Sequence, residues 1–347
     1  MTPFFTRPGA GYDAGRVAVE GQRQLSLFPA QERVGPAPLA PGVARLAASL
    51  PRRLRLGTSS WSFPGWAGLV YDRRFPVERL AREGLAAYAR HPLLRTVGVD
   101  RTYYAPLARP ALAEYAASVP DDFRFVVKAH EACTRASFAS APGAARAPNP
   151  RFLDAAYASE AVVGPFVEGL GAKAGVLLFQ FPPQPAEGLD PESIADRLHR
   201  FLRALPRGLL YAVELRSAAR LTARYAEALA DAGAVHCLAV HPSLPDLATQ
   251  ARVAAAALQG PLVLRWMLRR DAAYEAARER YRPFDRLVDE DVAAREAVAA
   301  LCAGAAARGA EAYVIANNKA EGSSPLTLLR LAQAIAALRR AAPRRSR

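Results

Sequence analysis

From residue 54 onward the chain alternates between short apolar runs and longer segments whose apolar residues recur every three to four positions. The short runs are Leu54–Thr58, Thr96–Asp100, Phe123–Lys128, Gly175–Phe181, Leu209–Leu215, Val235–Val240, Leu262–Trp266 and Ala312–Asn317. They are too short for helices, and their near-continuous apolar content is that of strands buried on both faces. Helical periodicity covers 77–90, 108–118, 150–170, 191–204, 218–232, 248–258, 290–308 and 325–341. Several of these segments open on Pro or an acid in the first turn, as in Asp190-Pro191-Glu192 and Ser324-Pro325. Pro loses no hydrogen bond there, and negative charge meets the positive end of the helix. Eight strands, each followed by a helix, predict an α/β fold: a (β/α)8 barrel of the TIM type. An open doubly wound sheet fits less well, because no Gly-x-Gly-x-x-Gly follows the first strand.

The flanks read differently. Residues 1–50 are rich in Pro, Gly and Arg with little to bury, which predicts a disordered arm before a barrel over 51–341 and a basic tail over 342–347. A long charged insertion, 267–289, follows the seventh strand. Its Arg269, Arg270, Arg278, Arg280 and Arg282 alternate with Tyr274, Tyr281 and nearly as many acids, the pattern of a solvated helical face. The net charge of +14 is concentrated at the ends: residues 1–53 hold seven Arg against three acids, and the end from Arg339 holds five Arg and no acid. The tails can therefore attract nucleic acid, whereas the barrel body is only mildly basic.

Cys133, Cys237 and Cys302 are odd in number and widely spaced, which excludes a disulfide framework or zinc knuckle and makes them small buried hydrophobes. No apolar run approaches the eighteen residues of a membrane span, and Pro8, Gly9 and Gly11 interrupt any signal-like pattern. The expectation is a cytoplasmic protein with no membrane partner.

Function in such barrels gathers at the C-terminal ends of the strands, and here those ends are polar. They carry Thr58-Ser59-Ser60-Trp61 with Pro64-Gly65-Trp66, Asp100-Arg101-Thr102-Tyr103-Tyr104, Lys128-Ala129-His130 and Gln180-Phe181-Pro182-Pro183. Glu214-Leu215-Arg216, His241-Pro242, Arg265-Trp266 and Asn317-Asn318-Lys319 complete the ring. Lys128, Arg216, Arg265 and the pair Asn317 and Asn318 are suited to phosphate through charge-assisted hydrogen bonds, with Gln180 as a further polar ligand. Glu214 is the first choice for a general acid/base, with Asp100 and His241 beside it as further catalytic candidates. The competing reading pairs Glu214 with Lys128 or Arg265, because a buried charge is seldom left alone. Trp61, Trp66 and Trp266 are stacking platforms for a base or sugar, or else rim packing. Asp100, Glu214, His241 and His130 are too few, against the richer sets of metalloenzyme barrels, to imply a metal.

Taken in order, these motifs resemble the YecE-like proteins, domain-of-unknown-function family seventy-two. The resemblance covers about 54–340 and rests on Gly57-Thr58-Ser59 through Trp61, Pro64-Gly65-Trp66, Thr102, Tyr104 and Lys128-Ala129. It continues through Leu178-Phe179-Gln180 with Pro182-Pro183, Val213-Glu214 with Arg216, and Asn317-Asn318 with Gly322 and Pro325. The resemblance implies a TIM-type barrel but names neither a reaction nor a cofactor. The chain departs from the pattern at Gly98, Asp100, Ser217, His241 and Lys319, where the resemblance implies Glu, Asn, His, an acid and Asp.

In the arm, Gln24-Leu25-Ser26-Leu27-Phe28 resembles the peptide by which bacterial replication and repair proteins dock on the DNA polymerase sliding clamp. A polar Gln anchor and three apolar side chains are the elements of a short-peptide site. The alternative is an apolar latch folded back on the barrel. The leading expectation is thus a DNA-metabolism or repair-associated protein, tethered to the clamp and holding a DNA lesion or other phosphate-bearing ligand at the barrel mouth. A small-molecule enzyme acting on a sugar or sugar phosphate is the rival, and a non-catalytic binding module the third.

Overall fold

A computed structural model describes residues 33–139, 145–183 and 190–341. Its eight parallel strands are β1 (Leu54–Thr58), β2 (Leu94–Val99), β3 (Arg124–Lys128), β4 (Ala174–Phe181), β5 (Leu210–Leu215), β6 (Val235–Val240), β7 (Leu262–Trp266) and β8 (Ala312–Ala316). Each pairs with its neighbours in sequence, and β8 closes the barrel on β1 with Leu54 opposite Ala312 and Thr58 opposite Ala316. The expected (β/α)8 barrel is present.

Strand periodicity divides the core into two layers. Val126, Val176, Leu178, Ala212, Val235, Cys237, Val263, Tyr313 and Ile315 fill the barrel interior, and their strand neighbours Phe125, Val127, Leu177, Phe179, Val213, Leu238, Leu264 and Val314 face the helices. The three cysteines are buried and free. At Gly57 the parallel pairing with β2 shifts register, and a Cβ there would lie 2.0 Å from the Thr96 carbonyl oxygen. Only glycine permits that approach. The Tyr88 hydroxyl fills the irregularity, accepting from Thr58 N and donating to Thr96 O, each at 2.9 Å.

The outer layer is built from helices such as Val77–Tyr88, Arg109–Ala117, Pro191–Ala204, Ala223–Ala232, Val292–Ala307 and Ser324–Ala341. Asp190, Thr222, Asp246 and Asp291 cap helix N-termini with their side chains, satisfying backbone N–H groups that lack an intrahelical partner. Part of the arm expected over 1–50 is in fact ordered. Ala37 N donates to Val70 O at 2.9 Å, Val34 and Ala37 are buried, and a helix over Pro41–Ser49 packs on Ser324–Ala341. The peptide Gln24, Leu25, Ser26, Leu27 and Phe28, and the basic tail over 342–347, lie outside the described residues. Among the described residues no helix is long and apolar enough to cross a membrane.

The insertion after β7 contains a short helix, Tyr274–Arg280, and its charges pair as expected for a solvated face. Arg269 is bidentate to Asp271, and Arg280 reaches Asp289 at 2.8 Å. Phe284 packs edge-on against Phe63 of the loop after β1, so the insertion leans on the rim of the barrel.

Candidate functional site at the barrel mouth

Inward positions on the strands stay apolar through the interior and then turn polar together. Lys128 lies two residues beyond Val126, Gln180 two beyond Leu178, Glu214 two beyond Ala212, Arg265 two beyond Val263 and Asn317 two beyond Ile315. One period of two therefore carries them from core to mouth.

Arg265 is the hub. It is 1% exposed, and its Nη1 donates to Glu214 Oε2 at 2.7 Å and to Gln180 Oε1 at 3.3 Å. Its Nη2 meets both Asp100 oxygens at 2.8 and 3.0 Å. Glu214, fully buried, has its other oxygen 2.5 Å from Arg216 Nη2, an ion pair out of line for a hydrogen bond. Burial alone would raise the Glu214 pKa, but Arg216 and Arg265 outweigh it and hold the carboxyl at about 2. Burial likewise opposes the Arg265 charge, and Asp100 and Glu214 overcome it, so the guanidinium binds its proton more tightly than usual. The competing sequence reading, a Glu paired to neutralise the interior, describes Glu214 with Arg265 and Arg216 as the partners.

A cavity of about 310 Å³ opens above this cluster, lined in part by Asp100, Lys128, Arg216, His241, Asn317 and Lys319. Tyr104, Gln180, Arg265 and Tyr274 also reach it, Tyr274 from the insertion. Lys128 is 8% exposed, its Nζ 3.6 Å from the centroid of the Tyr103 ring. Burial, with Arg265 and Arg216 adding to it against Asp100 and Glu214, brings its ammonium down to about 8. Lys319 Nζ lies 4.5 Å from the centroid of Tyr274, and burial lowers its pKa too. His241 is held near pKa 4 by burial and by Arg216. The Ser243 backbone N–H donates to His241 Nδ1 at 3.1 Å, so the neutral ring carries its proton on Nε2.

Asp100, His241, Lys128, Gln180, Arg216, Arg265 and Asn317 thus converge on one cavity, with Glu214 beneath its floor. The other expected ligand residues do not. Asn318 is buried, its Oδ1 accepting from Trp66 Nε1 at 3.3 Å and from Ser324 N and Oγ at 2.8 Å. It caps the helix that follows β8. Trp66 is fully buried as the donor in that contact, and Trp61 is buried with Nε1 on Ala81 O at 3.3 Å and its ring edge-on to Tyr115. Neither tryptophan offers a stacking face to the cavity, nor does the fully buried Trp266 line it. His130 bonds Tyr157 instead. Among the described residues no three His, Cys, Asp or Glu are grouped to hold a cation.

Sequence reasoning counted Lys319 among the polar strand ends without giving it a role, and did not place Tyr274 in the site. Lys319 adjoins the Asn pair, and that adjacency was the available signal; Tyr274 arrives only through the folding of the insertion. Larger cavities of about 520 and 530 Å³ lie toward the helical layer, the first lined mainly by Leu and Ala and the second containing the already paired Arg269 and Asp271. The mouth is where unlike charges, polar ligands and space coincide.

No curated protein matches the chain. Among the solved structures that resemble it are two of DUF72 family proteins. One, from Enterococcus faecalis, is 18% identical with a TM-score of 0.54, covering 81% of this chain and 95% of that one. The other, from Thermotoga maritima, is 19% identical with a TM-score of 0.53, covering 81% of this chain and 98% of that one. At such identities the likeness shows the fold alone, and it agrees with the barrel described above. Residues 55–347 match the model of "Protein of unknown function DUF72", which covers all of the barrel but its first residue and every residue of the mouth, and the chain belongs to that family.

Proposed function

We propose that the barrel mouth binds a small phosphate-bearing ligand. One observation carries this reading: the cations at the mouth outnumber the acids, and the acids are already engaged. Asp100 and Glu214 are taken up by Arg265 and Arg216, while Lys128 and Lys319 both line the cavity and form no ion pair among the described residues. An excess of two positive charges matches the −1.5 to −2 of a phosphate monoester near neutral pH, roughly charge for charge. A cavity of about 310 Å³ is at the small end for a ligand site and suits a sugar phosphate or single nucleotide better than a stretch of duplex.

Calorimetric titration with ribose 5-phosphate, and with ribose as the uncharged control, tests the reading. The phosphate compound is expected to bind, and Lys319→Met to weaken it about tenfold, or about 1.4 kcal/mol. Equal affinity for ribose and ribose 5-phosphate would remove the phosphate from the argument.

A second reading rests on Gln24-Leu25-Ser26-Leu27-Phe28, and ties the same barrel to DNA metabolism through the sliding clamp. Tethering raises local concentration at DNA without requiring a strongly basic barrel. The ligand would then be a nucleotide or lesion rather than a free metabolite, and direct binding of the clamp to the full chain tests the tether.

A further inference from the structure

We infer that Lys128 is a carbonyl-reactive amine, whose Nζ condenses with an aldehyde or ketone of the ligand held in the mouth cavity. The phosphate end of that ligand rests on the reading above; the amine chemistry rests on the surroundings of Lys128 itself.

The chain has only three lysines, and the structure gives each a different setting. Lys173 Nζ is tied down, donating to Ala116 O at 2.8 Å and Val119 O at 2.7 Å with Asp121 at 3.4 Å. Lys319 also lines the cavity, its Nζ over the Tyr274 ring. Lys128 alone stands at the last inward position of a barrel strand. Its carbonyl accepts from Thr102 Oγ1 at 2.6 Å, which fixes the backbone at that point.

The charged groups facing the Lys128 ammonium are Asp100 from the end of β2, Glu214 and Arg216 from the end of β5, and Arg265 from β7. The two acids are the natural counter-ions, but both are held by arginine at 2.5–3.0 Å. Lys128 is left with a ring face, which stabilises an ammonium less than a carboxylate does. An amine that is buried, faces a cavity and stands beside other cations is the arrangement that makes lysine nucleophilic. With the ammonium brought down to about 8, about a tenth of the Lys128 side chains are neutral at pH 7. For an ordinary lysine the fraction is about one in three thousand. A lysine serving only as an anion anchor would gain nothing from this.

The step balances without any co-reactant. The neutral Nζ attacks the carbonyl carbon, a C–N bond forms, and the C=O π pair moves to oxygen, which takes a proton as nitrogen gives one up. The hydroxyl then leaves as water with one further proton from solvent, and the nitrogen lone pair closes the C=N bond of a protonated imine. Nothing is oxidised or reduced.

The test uses pyridoxal 5′-phosphate, a phosphate-bearing aldehyde, and pyridoxal, the same aldehyde without phosphate. Each is mixed with the full chain, reduced with borohydride and mapped by peptide mass spectrometry. The expected adduct lies on Lys128 in preference to Lys173, Lys319 and the terminal amine, and its rate rises with pH through a midpoint near 8. Lys128→Arg, a change that keeps the positive charge, removes it. Pyridoxal 5′-phosphate should react about tenfold faster than pyridoxal, and inorganic phosphate should slow it. Equal rates for the two aldehydes at Lys128 would leave the amine chemistry standing and refute the phosphate reading. Preferential labelling of any other amine, or a Lys128 midpoint near 10.5, would overturn the inference. The mapping is made on the wild-type chain, so it does not depend on the folding of a variant.

Discussion

Replacing Glu214 with Gln tests whether the carboxylate is held ionised by the two arginines, because glutamine keeps the shape and removes the charge. With the folded carboxyl at about 2 and an unfolded value of 4.5, ionised Glu214 contributes about 3 kcal/mol at pH 7. The folded pKa is the depressed one, so that contribution is complete above pH 4.5 and is lost as pH falls toward 2. At pH 3 only about 1 kcal/mol of it remains. The Glu214→Gln chain should therefore be about 3 kcal/mol less stable than wild type at pH 7 and about 1 kcal/mol less stable at pH 3. Urea unfolding at both values measures this; with a slope of about 3 kcal/mol per molar, the pH 7 difference moves the midpoint by about 1 M. Gln also turns an amide donor toward either Arg265 or Arg216, which adds a cost independent of pH. The narrowing between pH 7 and pH 3 is therefore the decisive quantity. A destabilisation that stays constant over that interval would refute the ionised, doubly paired Glu214.

Asn318→Ala removes the acceptor for Trp66 Nε1, Ser324 N and Ser324 Oγ from a buried position, and should cost about 2–3 kcal/mol in the same unfolding assay. Ribose 5-phosphate affinity should stay within about twofold of wild type, since Asn318 does not line the cavity; a tenfold loss would return it to the ligand site. For the tether, changing Gln24, Leu27 and Phe28 to Ala should abolish surface-plasmon binding to the sliding clamp, which a few buried anchors put in the micromolar range, and undiminished binding would exclude that peptide as the contact.

The fold was legible because barrel strands carry their own signature. Leu54–Thr58, Val235–Val240 and Leu262–Trp266 are read to the residue, since runs buried on both faces need no tertiary knowledge to recognise. β2 begins two residues before the expected Thr96 and stops before Asp100, which leaves the strand to bond Arg265. The helix Pro41–Ser49 was hidden by its setting: its apolar stripe is short, has no fully buried residue, and stands in a Pro- and Gly-rich stretch that reads as disorder. Its stability comes from the helix Ser324–Ala341 beneath it, which local pattern cannot show.

Which residues form the site was legible for the same reason, but how they are paired was not. A period of two carries Lys128, Gln180, Glu214, Arg265 and Asn317 inward, yet the partners that decide their chemistry lie far away in sequence: Arg265 meets Glu214 across 51 residues and Asp100 across 165. Trp66 and Asn318, 252 residues apart, bond each other below the cavity lining and so leave the ligand site. Glu214 was the natural acid/base on residue type, but a carboxylate shared by two arginines, buried and held near pKa 2, is poorly placed to exchange a proton at neutral pH. By occupying the arginines, it and Asp100 leave Lys128 facing the cavity without an ion pair among the described residues. The reactive character of the mouth therefore moves from the acid that sequence favours to the lysine that the acid declines to neutralise.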